Sequence, residues 1–251
     1  MAIQRITSKW DKTNVLLRNS AFHRLIPETA KLGKTRLGEM LNRYGMVYVK
    51  PNRGTFGNGV IRVEKTSVGY KYQTGTQTRS FPQLDSLYAH MRSVTGNRLF
   101  LIQKGIHLLK HSRRRFDFRV MVQVNLKGKW ETTGIIGRLA HPKKIVTNYH
   151  SGGTPLPFER LMSTHMNTSQ QQNYLGMLRK MGVQVAHQLQ SAYPRIKEIG
   201  IDVAIDTKLN PWILEVNTKP DPYLFRKLKD RRVFRKVYRY AVAYGRIGKR
   251  A

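Results

Sequence analysis

The apolar positions of the chain fall into two periods, and the switches between them predict the elements. Met46-Val47-Tyr48-Val49-Lys50 and Val60-Ile61-Arg62-Val63 are β-rich runs separated by PNRGTFGNG, which predicts a hairpin with a long glycine-rich loop. Tyr70–Thr74 and Thr78–Phe81 predict a second hairpin, Leu84–Arg92 a helix after Pro82, and Leu99–Gln103 a short buried strand. Phe116–Val124 and Trp130–Arg138 follow as longer strands joined by the turn Asn125–Lys129. From Ser169 to Ala192 the period changes: Leu175, Leu178, Met181, Val185 and Leu189 step by three or four, the spacing of an amphipathic helix that ends before Pro194. Ile199–Ile205 and Trp212–Val216 are the last strands, joined through Asp206–Pro211. After Pro222 a closing helix is expected to carry Leu224, Leu228, Phe234, Val237 and Ala241 on one side. Near the start a helix is expected around Thr13–Asn19, and another from a Thr35 cap to about Arg43. Hairpins interspersed with a few helices predict an α+β fold rather than a doubly wound parallel sheet.

Charge changes the picture more than composition does. Of 251 residues, 46 are Lys or Arg and 14 are Asp or Glu, a formal net charge of +32. Such a surface attracts polyanions: nucleic acid, anionic lipid, acidic peptide or nucleotide phosphates. The 40% hydrophobic content excludes a disordered chain. No run reaches the ~18 apolar residues of a membrane-spanning helix, and MAIQRITSKW has no apolar stretch after its charges. Together these lead us to expect a cytoplasmic protein. With no cysteine, disulfides, thiolate-bound zinc and thiol nucleophiles are excluded.

Three constellations carry chemistry. In Lys50-Pro51-Asn52-Arg53-Gly54-Thr55-Phe56-Gly57-Asn58-Gly59 the glycines let backbone amides approach an anion while Lys50 and Arg53 place charge at the rim. A strand follows rather than a helix, so this is not a Walker loop, and an ordinary hairpin turn is the alternative. Asp202, Asp206 and Glu215 lie in one predicted hairpin. Asn217, two residues beyond Glu215, shares its face. Two carboxylates and a carboxamide are hard oxygen donors suited to Mg²⁺ on nucleotide phosphates; the alternative is that these acids pair with surface Lys and Arg. Arg119 and Arg138 fall on neighbouring strands, where planar guanidinium groups can steady a phosphoryl group or simply be solvated. The stretch Ala140–Pro157, too long for a plain connector, reads as a functional loop.

At these residues the chain resembles the ATP-grasp superfamily, most closely its YheC/YheD branch of endospore coat-associated proteins. VYVKPNRGTFGNGVIRV is similar to the loop that covers the phosphates, with Lys50 as its lysine and Arg53, Gly54, Gly57 and Gly59 in the loop. WDKTNVLL followed by IPET resembles the segment that supplies an earlier phosphate lysine, here Lys12. LFLIQKGI resembles the hinge whose backbone meets adenine, Gln103-Lys104-Gly105-Ile106. IDVAIDTKLNPWILEVNTKPD is similar to the metal hairpin, with Asp202, Glu215 and Asn217 on the ligand positions. IVTNYHSGG resembles the N-x-x-x-G-G loop of ATP-grasp glutamate ligases that act on ribosomal proteins, which brings Asn148, Gly152 and Gly153 toward the phosphoryl end. Asn217-Thr218-Lys219-Pro220-Asp221, where many relatives carry a small residue, proline and glycine, matches the YheC/YheD branch.

The resemblance implies two α+β lobes holding ATP between antiparallel sheets. A lead-in over 1–30 precedes an N-lobe over 31–105, a C-lobe over 106–223 and a basic helix over 224–251. It also implies ATP and Mg²⁺ as cofactors, and carboxylate activation through an acyl phosphate that an amine then displaces. Arg119 and Arg138 would be the catalytic pair, and the carboxylate and amine substrates are unidentified. The name of the branch adds an association with the spore. A rival reading keeps the shape without turnover, as a basic protein that binds a polyanion. Phe225–Arg250, with eleven Lys/Arg and one acid among aromatics, supports it.

Overall fold

In the computed structural model, which describes residues 2–248, the chain begins with α1 (Lys9–Leu17). The helix starts at Lys9 rather than near Thr13, because the Ser8 hydroxyl accepts from the Asp11 N–H and satisfies one of the first-turn donors. The first sheet follows: β1 (Thr29–Lys31), β2 (Met46–Pro51), β3 (Ile61–Thr66), β4 (Gly69–Thr74), β5 (Gln77–Phe81) and β6 (Phe100–Lys104). The strands run antiparallel in the order β1-β6-β2-β3-β4-β5. α2 (Lys34–Tyr44) and α3 (Leu84–Thr95) cover one face, where Val47, Val49, Ile61, Val63 and Ile102 bury against Leu37, Leu41, Leu87 and Met91. α2 starts one residue before Thr35, with Gly33 rather than Thr35 at its cap position, and ends at Gly45 in the left-handed region (φ 69°). Strand alternation sends Tyr48, Lys50 and Gln103 to the other face.

The second sheet contains β7 (Lys110–His111), β8 (Arg114–Val124), β9 (Trp130–Leu139), β10 (Thr154–Leu156), β11 (Glu198–Ile205) and β12 (Pro211–Asn217). Its main path is β10-β9-β8-β11-β12, antiparallel throughout, with β7 paired to the start of β8. α4 (Phe158–Met162) and the 25-residue α5 (Thr168–Ala192) cover one face. A reciprocal Asn167–Gln170 capping box starts α5, and the five apolar positions read from its period are all buried. α1 packs onto the same core through Val15 and Leu16. Each fully buried aliphatic side chain here contributes about 1.5–3 kcal/mol.

Alternation along β8 divides the second sheet by chemistry. Phe118, Val120 and Val122 enter the α5 core, while Asp117, Arg119 and Met121 take the opposite face. On that face Met121 and Ile136 are covered by Leu224, Phe225 and Val237, leaving the polar end of the strands uncovered. The expected closing helix is two pieces. Asp221 caps a 3-10 turn (Pro222–Lys227), and Asp230 caps α6 (Arg231–Ala243), each carboxylate accepting a backbone N–H that a continuous helix would have kept internal. Residues 249–251 of the expected basic segment, and residue 1 of the lead-in, lie outside the described residues. Among the described residues no helix is long and apolar enough to cross a membrane.

Candidate functional site

Between the uncovered faces of the two sheets lies an open cavity of about 720 Å³, within the size range of sites that take nucleotides and other small ligands. Its lining carries seven basic and four acidic side chains, so the space favours an anion.

The first sheet and α1 supply a wall of lysines. The Lys50 Nζ donates to Gln103 Oε1 (2.8 Å) and the Leu214 carbonyl (2.9 Å), both neutral acceptors. Lys9 donates to the Gly54 carbonyl (2.9 Å) and lies 3.5 Å from Glu215. Lys12, at i+3 from Lys9 on α1, turns inward to the Ile6 carbonyl (2.9 Å) and lines a small void behind the cavity with Lys50 and Glu215. Burial pushes Lys50 and Lys12 each down to about 8; Glu215 opposes this in both cases, and the neighbouring lysines reinforce it. Three amines therefore share one carboxylate.

The second sheet supplies the opposite wall, where charge is already matched. Asp202 and Glu215 are direct cross-strand partners on β11 and β12, beside a register shift at Asp202/Val203. Arg119 donates through Nε to Asp202 (2.6 Å), and Arg138 reaches Asp202 (3.1 Å) while also donating twice to Asp117 (2.9 and 2.5 Å). Burial pushes the Asp202 carboxyl up, but Arg119 and Arg138 outweigh it and hold it below the usual carboxylate range. Burial likewise works against the Arg138 charge, and Asp117 and Asp202 overcome it. Glu215, by contrast, has only the long contact to Lys9, and the Asn217 carboxamide makes no hydrogen bond among the described residues. Neither of these two hard oxygen donors accepts a hydrogen bond among the described residues, and they stand beside a carboxylate whose oxygens each keep a second lone pair. That donor chemistry fits a divalent cation such as Mg²⁺.

A roof closes over both walls. Gly57 (φ 77°) sits so near the 140–157 stretch that an added Cβ would lie 3.0 Å from Asn148 Oδ1. Ser151 donates to the Phe56 carbonyl (2.9 Å), and the Phe56 and His150 rings are 4.3 Å apart. Phe56 itself holds a positive φ of 61°. At the far end, the Lys104 N–H bonds to Glu28 and the Gly105 N–H to Met46, whereas the Ile106 N–H has no partner among the described residues. The Lys104 ammonium stands over the Tyr44 and Trp212 rings (5.1 and 4.8 Å).

The structure therefore brings Lys50, Gly54, Gly57, Gln103, Lys104, Ile106, Arg119, Arg138, Asn148, Asp202, Glu215 and Asn217 onto one cavity. Lys12, Arg53, Gly59, Gly152 and Gly153 do not line it. Gly59 (φ 71°) and Gly152 (φ 87°) shape turns, and at Gly153 any Cβ would overlap the Thr147 carbonyl. Asp206 is no part of the acidic set, because it accepts from Lys208, Asn210 and Trp212 within the β11–β12 turn. Sequence reasoning missed Lys9 and Asp117. Both carried a signal: Lys9 shares a helical face with Lys12, and Asp117 shares a strand face with Arg119.

Fold comparisons agree with this layout. D-cycloserine synthetase DcsG superposes with a TM-score of 0.57 at 11% identity, over 94% of this chain and 69% of that one. A carboxyaminoimidazole ribonucleotide synthase from Aspergillus clavatus, complexed with ATP, gives 0.51 at 10% identity over 85% and 45% of the respective chains. In sequence, the endospore coat-associated protein YheD of Bacillus subtilis is 26% identical over 225 residues, 87% of this chain. The chain spans about half of that relative's length (49%). Two antiparallel sheets around one cleft, joined to a match that runs across residues 2–247, make this chain a member of the YheC/D-like ATP-grasp family.

Proposed function

We propose that the chain binds ATP with Mg²⁺ in this cavity and acts as a carboxylate–amine ligase. One observation carries the reading: poorly matched buried lysines crowd a single carboxylate, Glu215, and beside it stands a carboxamide that makes no hydrogen bond among the described residues, on one cleft. The lysines want an anion and the oxygens want a cation, and a metal-bound polyphosphate satisfies both. The Ile106 N–H at the hinge offers a donor for adenine. Glu215 and Asn217, with Asp202, would hold the cation, which when bound offsets charge on the phosphate oxygens.

In the reaction, a substrate carboxylate oxygen attacks the γ-phosphorus and the bond to the β–γ bridging oxygen breaks, giving an acyl phosphate and ADP. An amine then attacks the acyl carbon, phosphate leaves, and the amine loses a proton. Lys9 and Lys50 bind the polyphosphate. Arg119 and Arg138, fixed by Asp117 and Asp202, present the remaining guanidinium N–H groups to the transferring phosphoryl. The roof from Gly54 to Asn58 excludes water that would hydrolyse the acyl phosphate. Likeness to YheD, named as endospore coat-associated, extends the proposal to a cytoplasmic protein that works in association with the spore.

The test is to supply ATP and Mg²⁺ with panels of carboxylates and amines and to measure ADP. Release that requires both partners is expected. In parallel, Mg²⁺-ATP should raise the melting temperature by mass action and Glu215→Gln should abolish the rise. No ADP with any pair, together with no rise in the parent protein, contradicts the reading.

A further inference from the structure

What sets α6 apart is the alignment of its exposed cations. Around the first sheet some exposed basic side chains meet acids, Lys34 with Asp85, Arg36 with Glu39 and Arg43 with Glu28, while Lys65, Lys71 and Arg79 stand singly along its strands. On α6 Lys236 reaches Glu131, but most of the other cations there and in the turn before it have no acid within ion-pair distance among the described residues. Residues 225–250 hold eleven Lys/Arg and a single acid, Asp230, which is taken by Arg232 (3.0 Å). Arg231, Arg235 and Arg239, at four-residue spacing, form one exposed stripe with no ion-pair partner among the described residues.

This stripe leads to the cavity. Tyr223 lines the cavity mouth and also packs against Phe234 (6.2 Å) and Tyr238 (6.4 Å) on α6. Lys227 stands over the Tyr149 ring (5.5 Å), and Tyr149 lines the same mouth. Behind the face, Arg246 bonds the Pro220 carbonyl (3.1 Å) and the buried Glu198 (3.2 Å), which ties the turn after α6 to the Asn217–Pro220 segment.

We propose that α6 and its preceding turn are the docking face for an acidic polypeptide substrate, whose reacting carboxylate passes Tyr223 into the cavity. The inference rests on the ligase reading above and names its substrate class. Carboxylate side chains meet two demands at once: they neutralise an unpaired cationic stripe, and they are the group the proposed chemistry activates. A nucleic acid meets only the first. Its bases would also need an open ring face, whereas the Arg226 guanidinium covers Phe234 at 5.7 Å and the three aromatic rings lean on one another at 39–59°.

Fluorescence anisotropy of a labelled oligoglutamate tests this with the whole chain. The triple variant Arg231→Ala, Arg235→Ala, Arg239→Ala should weaken binding about tenfold, since each exposed contact contributes about 0.5 kcal/mol. The triple variant Lys65→Ala, Lys71→Ala, Arg79→Ala, which removes the same charge from the β3–β5 region, should leave it within about twofold. Glu215→Gln should abolish stabilisation by Mg²⁺-ATP and leave oligoglutamate binding intact, so a failure of the nucleotide reading and a failure of the docking face register separately. The proposal is overturned by equal loss in the two triples, by absent binding in the parent, or by a single-stranded oligonucleotide of equal charge binding more tightly.

Discussion

The two walls of the cleft handle buried charge in opposite ways. On the second sheet Asp117, Arg138, Asp202 and Arg119 form a chain in which every ion has a close counter-ion. On the first, Lys50 is held by an amide and a carbonyl, and Lys12 by a carbonyl, with Glu215 shared among three amines. One wall is complete as it stands; the other is completed only by an incoming anion. A wall that stores unmatched charge destabilises the empty protein, and binding returns that free energy as affinity.

The largest expected effect separates the walls by mutation. Asp117→Ala leaves Arg138 short of its bidentate partner inside the protein and should cost about 3–5 kcal/mol in denaturant unfolding. Lys50→Met removes a poorly matched buried charge and should cost nothing or stabilise the ligand-free protein, while weakening stabilisation by ATP. Equal losses at the two positions would erase the contrast.

Next is a pH effect. Lys50 and Lys12 titrate near 8 when folded, below the ordinary lysine value of 10.5 that applies unfolded. Below pH 8 both states are protonated and the penalty is full and constant. Between 8 and 10.5 the unfolded chain binds more protons, so stability rises with pH, by at most about 1.4 kcal/mol per unit for each lysine. Parent and Lys50→Met unfolding curves measured across this window should diverge, with the parent steeper.

Smaller effects probe the roof and the outer face. Gly57→Ala forces a side chain into the left-handed region against Asn148 and should cost about 1–2 kcal/mol, read by thermal unfolding. The Arg231, Arg235, Arg239 triple should stay within about 0.5 kcal/mol of the parent at every position, because those side chains are exposed and unpaired.

The fold was legible where period and turn chemistry agreed. The strands around the glycine-rich loop and the apolar stripe of α5 sit where alternation and the three-or-four step put them. What escaped depended on tertiary partners. The three-residue β1 is a strand only because β6 pairs with it, and the closing helix breaks because Asp230 caps a fresh turn that no hydrophobic period announces. In the site, residue types identified the acidic hairpin and the lysine strand. Arg119 and Arg138 were expected to face a phosphoryl group, and the fold turns much of their hydrogen bonding toward Asp202 and Asp117, a choice set by cross-strand register that spacing alone leaves open.

Calorimetric titration with ATP and Mg²⁺ at about pH 8, in two buffers of different ionisation heat, bears most directly on the unfinished lysine wall. Anion binding should draw both half-titrated amines back to the charged form, giving uptake of about one proton that falls to about half in Lys50→Met. Binding with no buffer dependence, or binding that Lys50→Met leaves untouched, would contradict the account.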